Sequence, residues 1–334
     1  MKKELSIVIP VFNERENIRP LYEALKPVLT RMAVEHEIIF VDDGSTDGTA
    51  EELERLATGA GATGAGATGA DVSVIEFRRN FGQTAAFAAG FDYAEGDVII
   101  TMDGDLQNDP ADIPKLFGMV KDGKYDLVSG WRKERKDTFL MRKLPSMLAN
   151  RLISAVTGVR LHDYGCSLKA YKSDVVKNLR LYGEMHRFIP AVANWYGVNV
   201  AEVETIHHPR TWGKSKVGIS RTVRVFLDLI TVKFLQSFST KPIQFFGPVG
   251  LASTAAGMLI SLYLAAEKLL LGMSIGGRPL LLLGVLLIII GVQLIGMGLL
   301  GEMIVRVYHE SQKKPIYALK KIIGPRIRIP NGAP

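Results

Sequence analysis

The stretch GDVIITMDGDLQNDP, residues 96–110, combines a strand signal with two carboxylates. Its apolar and β-branched residues at 98–101 predict a buried strand, and Asp103 and Asp105 follow it directly. Residues two apart on an extended segment point to the same side, so these carboxylates would repel each other without a cation between them. Mg²⁺ or Mn²⁺ would meet that need, because hard cations take carboxylates together with substrate phosphates. The alternative is a solvated turn, since Asp-Gly is a common turn dipeptide.

The chain around this stretch alternates strand signals with helix signals. This order predicts an α/β domain with a mostly parallel sheet covered by helices. Ligands of such sheets bind beyond the carboxyl ends of the strands, and polar loops follow each strand here. The predicted strands cover residues 5–10, 37–41, 72–77 and 97–102, and the predicted helices cover residues 17–32, 49–57 and 83–94.

A second acidic loop follows the predicted strand at residues 37–41. Asp42 and Asp43 leave that strand, and carboxylates there can accept hydrogen bonds from ribose hydroxyls or from a base N–H. Together with the two aspartates after residue 102, they favour a nucleoside diphosphate as ligand. The repeat TGAGATGAGATGA, residues 58–70, lacks the Lys-Ser/Thr pair of a phosphate-binding loop, so we interpret it as a linker without a site role.

Two long apolar stretches occupy residues 245–266 and 279–301. Each is long enough to cross a hydrocarbon core of roughly 30 Å, and their short connection predicts a transmembrane hairpin. Lysine and arginine are concentrated after the second stretch, so the positive-inside rule predicts that the N-terminal region and both termini face the cytoplasm. The net charge of +7 then indicates a membrane surface rather than nucleic acid, and the one cysteine excludes an intramolecular disulfide.

Two segments place basic side chains beside apolar ones at helical spacing. They cover residues 140–156 and 219–241. We interpret them as amphipathic helices at the membrane interface. Packing against the sheet is the alternative, and a homo-oligomer would use the same surfaces.

Several motifs together resemble glycosyltransferase family 2, in its polyprenyl-phosphate branch. They are SIVIPVFNE, VDDGSTDGT, FGQTAAFAAGFDYAEGDVIITMDGDLQNDP and RTWGKSKVG, within about residues 5–235. The resemblance implies a GT-A fold, which is Rossmann-like, and a metal held by Asp103 and Asp105. The residues that it implies for the nucleotide pocket are Pro10, Asn13, Glu14, Asp42 and Asp43. The implied organisation is a GT-A domain at 1–218, an interface helix at 219–241, a transmembrane hairpin at 242–304 and a basic cytoplasmic tail at 305–334.

The two C-terminal spans resemble those of bactoprenol glucosyltransferases in particular. The resemblance therefore implies metal-dependent, inverting transfer of glucose from UDP-glucose to undecaprenyl phosphate at the cytoplasmic membrane. A GDP-mannose or UDP-amino-arabinose donor is an alternative, as is a membrane-anchored nucleotide-binding scaffold without turnover.

The acceptor phosphate is already ionised near neutral pH, so the reaction needs cations more than a strong general base. We expect Arg132 to act in catalysis beside the two metal-binding aspartates. Asp163 would orient the sugar or the acceptor phosphate, or act as a base. The residues that we expect to contact phosphates are Arg132, Arg135, Arg210, Ser215 and Lys216.

Overall fold

The computed structural model describes residues 3–59, 71–133, 153–154, 157–179, 181, 185–194, 197–209, 243–272, 274–311 and 316–324. These residues form two compact units. One contains a β-sheet with its helices, and the other contains two long apolar helices.

The first unit is built on an eight-stranded mixed sheet. Its spatial order is β7-β5-β6-β4-β1-β2-β3-β8. Strand β1 runs parallel to β2 and β4, and β2 runs parallel to β3. The strands are β1 (Leu5–Val11), β2 (His36–Asp42), β3 (Val72–Phe77), β4 (Val98–Thr101), β5 (Leu127–Trp131), β6 (Lys169–Lys172), β7 (Val200–Glu204) and β8 (Leu319–Ile323).

Helices cover the sheet, and apolar side chains from the central strands form a core on each of its faces. The predicted α/β class with a mostly parallel sheet is confirmed, and the first four strands and three helices lie where the sequence indicates. The helices of this unit are α1 (Arg15–Met32), α2 (Thr49–Thr58), α3 (Gln83–Tyr93), α4 (Ile113–Lys121), α5 (Ser173–Lys177) and α6 (Ile189–Asn194).

Strand β8 is a feature that the sequence interpretation missed, because it lies in the segment interpreted as a basic tail. It pairs antiparallel with the edge strand β3. Tyr317, just before it, stacks on Phe77 with ring centroids 5.2 Å apart and donates a hydrogen bond to Asp92 at 2.8 Å. Lys320 pairs with Glu76 at 2.7 Å. The chain beyond the apolar helices therefore contributes a strand and a buried aromatic ring to the sheet unit.

The second unit consists of α7 (Ile243–Leu271) and α8 (Pro279–Ser311). Two segments in them are long and apolar enough to cross a membrane, Phe245–Leu271 and Pro279–Gly301. Most of the large apolar side chains along these segments are exposed, which distinguishes them from the core helices of a soluble protein. The two helices are therefore a candidate transmembrane hairpin, as predicted.

Glycines allow the two apolar helices to approach closely. A Cβ atom at Gly257 would lie 2.5 Å from the carbonyl oxygen of Gly284, and one at Gly250 would lie 2.7 Å from that of Gly291. The hydroxyl of Ser253 also donates to the carbonyl of Leu287 at 2.8 Å. Small residues and hydroxyl groups at the contact are typical of helices that associate within lipid.

Candidate active site

The acidic loops lie at one edge of the sheet, because β1, β2 and β4 are parallel and their carboxyl ends point the same way. Asp42 ends β2, and Asp43 follows it. Asp103 and Asp105 lie just beyond β4. The four carboxylates that the sequence singled out therefore belong to two loops at the same edge of the sheet, on either side of β1.

Asp103 and Asp105 are held close to the core. Asp105 is buried, and Asp103 is partly buried and accepts a hydrogen bond from Gln83 Nε2 at 2.8 Å. Burial and the negative charge of Asp105 raise the pKa of Asp103, while the hydroxyl of Ser167 opposes that rise. The residue between them, Gly104, has no room for a side chain, because a Cβ atom there would lie only 2.6 Å from Val11 Cγ1.

This pair suits a divalent cation as a partial ligand set. Within the part of the chain that the structure describes, no group of three or more histidine, cysteine, aspartate or glutamate side chains could hold a metal. Burial and the charge of Asp105 both raise the pKa of Asp103, and such a carboxylate pair is suited to Mg²⁺ or Mn²⁺. These ions commonly use one or two carboxylates and complete their shell with phosphate oxygens and water.

Asp42 is fully buried at the end of β2. Its carboxylate accepts hydrogen bonds from the hydroxyl and the backbone N–H of Ser45, the latter at 3.2 Å. Burial raises the pKa of Asp42 to about 6, against these hydrogen bonds. Glu76 and Asp43 add to the rise through their negative charges.

Asp43 and Asn13 join loops to one another. The carboxylate of Asp43 accepts from the backbone N–H groups of Phe81 and Gly82, at 2.6 and 2.9 Å. The backbone N–H of Asn13 donates to Ser45 Oγ at 2.9 Å, and its side-chain oxygen accepts from the N–H of Thr46 at 2.9 Å. Both residues therefore hold the shape of the strand-end loops.

The other two residues implied for the nucleotide pocket lie in the same region. Pro10 is partly buried within β1 and faces Val41 of β2 in the pairing register. Glu14 precedes α1, and its carboxylate accepts from Asn17 Nδ2 at 2.6 Å. The strand-end edge thus includes all five residues that the resemblance implied for this pocket.

Arg132 and Asp163 form an ion pair in which Asp163 is buried and Arg132 is partly buried. Arg132 Nε lies 2.6 Å from Asp163 Oδ2, and Arg132 Nη2 lies 2.9 Å from Asp163 Oδ1. The backbone N–H of Gly165 also donates to Oδ1, at 3.1 Å. The pairing with Asp163 raises the pKa of Arg132 against the opposing effect of burial. The charge of Arg132 in turn acts on Asp103 and opposes the rise of its pKa.

Lys169 is a buried cation that the sequence interpretation missed. It lies on β6, and its amino group donates to the carbonyl oxygens of Tyr164 and Cys166. Burial lowers the pKa of Lys169, while the negative charges of Asp163 and Asp103 oppose the shift. The signal available in the sequence was the first of two lysines in LKAYK, residues 168–172, and this pattern is ambiguous without knowledge of the strand.

His208 places the end of the described 197–209 segment beside the Asp105 loop. Its backbone N–H donates to Gln107 O at 2.8 Å, and its Nε2 lies 2.9 Å from Asp109 Oδ2. Arg135, Arg210, Ser215 and Lys216, and the predicted interface helix at 219–241, lie outside the described residues.

Comparisons with known proteins show which family the chain belongs to. The family model for glycosyl transferase family 2 matches residues 6–180. The dodecaprenyl-phosphate galacturonate synthase of Rhizobium johnstonii is 47% identical over 324 residues, covering 96% of this chain and 93% of the relative. The undecaprenyl-phosphate 4-deoxy-4-formamido-L-arabinose transferase of Serratia proteamaculans is 36% identical over 323 residues, covering 96% and 94%.

Solved structures support the fold. Glucosyl-3-phosphoglycerate synthase from Mycobacterium tuberculosis, in complex with Mn²⁺ and UDP-glucose, superposes with a TM-score of 0.52 at 17% identity, covering 70% of this chain and 79% of that chain. The GT-A fold is therefore confirmed. The expected glucose donor is not supported, because the two relatives above are named for galacturonate and for a formamido-arabinose. The chain belongs to glycosyltransferase family 2, among the enzymes that transfer a sugar to a polyprenyl phosphate.

Proposed function

We propose that the protein transfers galacturonate from UDP-galacturonate to a polyprenyl phosphate at the cytoplasmic face of the membrane. The observation that supports this donor is the 47% identity, over nearly the whole chain, to a galacturonate synthase. A formamido-arabinose donor is the second candidate, favoured by the 36% identical relative.

The chemistry is a displacement at the anomeric carbon of the sugar. A bond forms between that carbon and an oxygen of the lipid phosphate, and the bond to the nucleoside diphosphate breaks, so a single step inverts the configuration. The lipid phosphate is already anionic, and no proton has to be removed from it. The demand on the protein is therefore to stabilise the charge of the departing diphosphate and to orient the two anions.

The chain supplies groups for each part of this task. Asp42, at the end of β2, is placed to accept hydrogen bonds from the nucleoside. Arg132 offers a guanidinium to phosphate oxygens, with its orientation fixed by Asp163. Asp103 and Asp105 would hold Mg²⁺ or Mn²⁺, which supplies charge neutralisation at the diphosphate when bound. Both carboxylate oxygens of Asp163 are engaged by Arg132, so we assign it orientation rather than proton transfer.

The apolar helices α7 and α8 would anchor the enzyme where its lipid substrate lies. With both termini and the sheet unit in the cytoplasm, the connection between α7 and α8 would face the opposite side. A cysteine introduced at Ser274 in that connection tests the arrangement, because the native Cys166 is buried and should contribute little background. A membrane-impermeant thiol reagent should label S274C in intact cells. Labelling only after lysis would contradict the topology.

The activity itself is tested with purified protein in detergent. Labelled UDP-galacturonate, UDP-4-formamido-arabinose, UDP-glucose and GDP-mannose would each be incubated with undecaprenyl or dodecaprenyl phosphate, with and without EDTA. We expect lipid-linked galacturonate that disappears on chelation. Preference for another donor would overturn the donor assignment, product that survives chelation would overturn the metal role, and no product from any donor would favour a non-catalytic scaffold.

A further inference from the structure

We propose that Glu202, on β7, is a positioning residue that fixes the backbone carrying Asp163 and thereby the orientation of Arg132. This inference rests on the proposed function, because it assigns Glu202 a role in the same transfer. It is a residue that the sequence motifs do not single out.

Glu202 makes a concentrated set of contacts with the segment that contains Asp163. Its Oε1 accepts from the backbone N–H groups of His162 and Asp163, both at 2.9 Å. Its Oε2 lies 3.0 Å from the same N–H of His162 and 2.8 Å from the ring Nδ1 of His162. The side chain of Glu202 is only 10% exposed and Asp163 is buried, whereas the side chain of His162 is 70% exposed.

The contacts of Glu202 connect the Asp163 segment to β7, whose last residue, Glu204, lies opposite Trp131 of β5. Strand β7 is parallel to β5, with Glu202 opposite Ser129 in the register. Trp131, the residue before Arg132, stacks on the ring of His162 with centroids 4.3 Å apart. The residues that precede Arg132 and Asp163, which are Trp131 and His162, therefore contact each other. Glu202 in turn binds His162 through hydrogen bonds.

A rigid support matters because the ion pair must present its guanidinium in one orientation. Asp163 is a short side chain, so a shift of its backbone moves both of its oxygens away from Arg132. Without an acceptor at position 202, the backbone N–H groups of His162 and Asp163 would lose this partner, and the segment would shift to find another. A displaced Arg132 would stabilise the transition state less, so we expect kcat to fall more than the donor KM changes.

The test compares two nearly isosteric variants. Glu202→Met removes both acceptor oxygens, whereas Glu202→Gln keeps one that can accept from both backbone N–H groups. We expect E202M to lower kcat about 10- to 100-fold with the donor KM changed less than about threefold, and E202Q to retain kcat within about threefold of the wild type. Glu204→Met is the matched control, since Glu204 lies two residues along the same strand and is exposed beside Lys133.

Hydrogen exchange provides a readout that needs no turnover. The peptide spanning residues 161–166 should exchange faster in E202M than in the wild type, E202Q or E204M. A wild-type enzyme that makes no lipid-linked product would contradict the proposed function and leave this exchange comparison intact.

Three results would overturn the positioning role. They are a wild-type kcat in folded E202M, a loss in E202Q equal to that in E202M, and unchanged exchange at residues 161–166 in E202M. If E202M does not fold, Glu202→Asp replaces it, because its carboxylate stops one methylene short of the same donors. An unchanged kcat in E202D would then overturn the role.

Discussion

Arg132 binds both carboxylate oxygens of Asp163, through Nε at 2.6 Å and Nη2 at 2.9 Å, in a pair whose side chains are 14% and 5% exposed. Such a fork leaves the carboxylate without a free oxygen to accept a proton from substrate, and it leaves the other edge of the guanidinium for an anion. The arrangement suits a reaction between two phosphate-bearing substrates, in which cations matter more than a base.

Replacing Arg132 by lysine tests how much the two-point binding of Asp163 by the guanidinium contributes to turnover. Lysine keeps the positive charge but cannot bind the carboxylate and a phosphate in the same plane. We expect R132K to lower kcat by about 100-fold in the lipid-product assay. Lys133→Met is the control, because Lys133 pairs with an exposed glutamate and should keep wild-type turnover. Equal activity of R132K and the wild type would contradict the role of the guanidinium.

The acidic pair beyond β4 should be required for turnover but not for folding. Asp105→Asn removes one oxygen ligand and also removes the negative charge that, together with burial, raises the pKa of Asp103. We expect D105N to lose at least about 100-fold in kcat, to bind Mn²⁺ and UDP together more weakly in calorimetry, and to melt no earlier than the wild type without metal. Asp122→Asn, an exposed aspartate after α4, is the matched control. Full turnover in D105N would exclude the metal role.

The sequence predicted those parts of the molecule whose signals are local. The strand ending before Asp103 and the apolar spans are continuous patterns, so their positions follow from period and length. Lys169 and Glu202 were missed because the electrostatic interaction of Lys169 with Asp103, and the hydrogen bonds of Glu202 with residues 162 and 163, join segments that are distant in the chain. Strand β8 was missed because its lysines are typical of a solvated tail. Its strand structure depends on pairing with β3, where Glu76 binds Lys320.

Asp42 should make stability depend on pH. Its pKa of about 6 in the folded protein lies above the ordinary value near 3.8. The unfolded chain therefore releases this proton first, and the contribution of Asp42 to stability falls between about pH 4 and pH 6 and is constant above. Asp42→Asn removes this titration, so the unfolding free energy of D42N relative to that of the wild type should rise by about 3 kcal/mol from pH 4 to pH 6.

Melting curves of D42N and the wild type from pH 4 to 8 measure the difference. Parallel curves would show that Asp42 is not perturbed.

Tyr317 should stabilise the sheet unit although it lies beyond the apolar helices in sequence. Tyr317→Ala removes its stack on Phe77 and its hydrogen bond to Asp92. We expect a loss of about 3 kcal/mol in unfolding free energy for Y317A, and about 1 kcal/mol for Y317F, which keeps the ring. Chemical denaturation in detergent measures both. An effect of Y317A no larger than that of Y317F would mean that the stack contributes little.

Gly291 should be required where α7 and α8 are in contact. A Cβ atom there would lie 2.1 Å from Thr254 Oγ1 and 2.5 Å from Gly250 O, and the Thr254 hydroxyl is held by a 2.9 Å hydrogen bond to that same carbonyl. Gly291→Ala should therefore force the helices apart and destabilise the hairpin by about 1–3 kcal/mol. Gly296→Ala is the matched control on the same helix, because a Cβ atom at Gly296 meets nothing within 4 Å and alanine favours a helix. Thermal inactivation in detergent should separate the two, with G291A inactivating at a lower temperature and G296A at or above the wild-type temperature. Equal behaviour of both variants would contradict the helix contact.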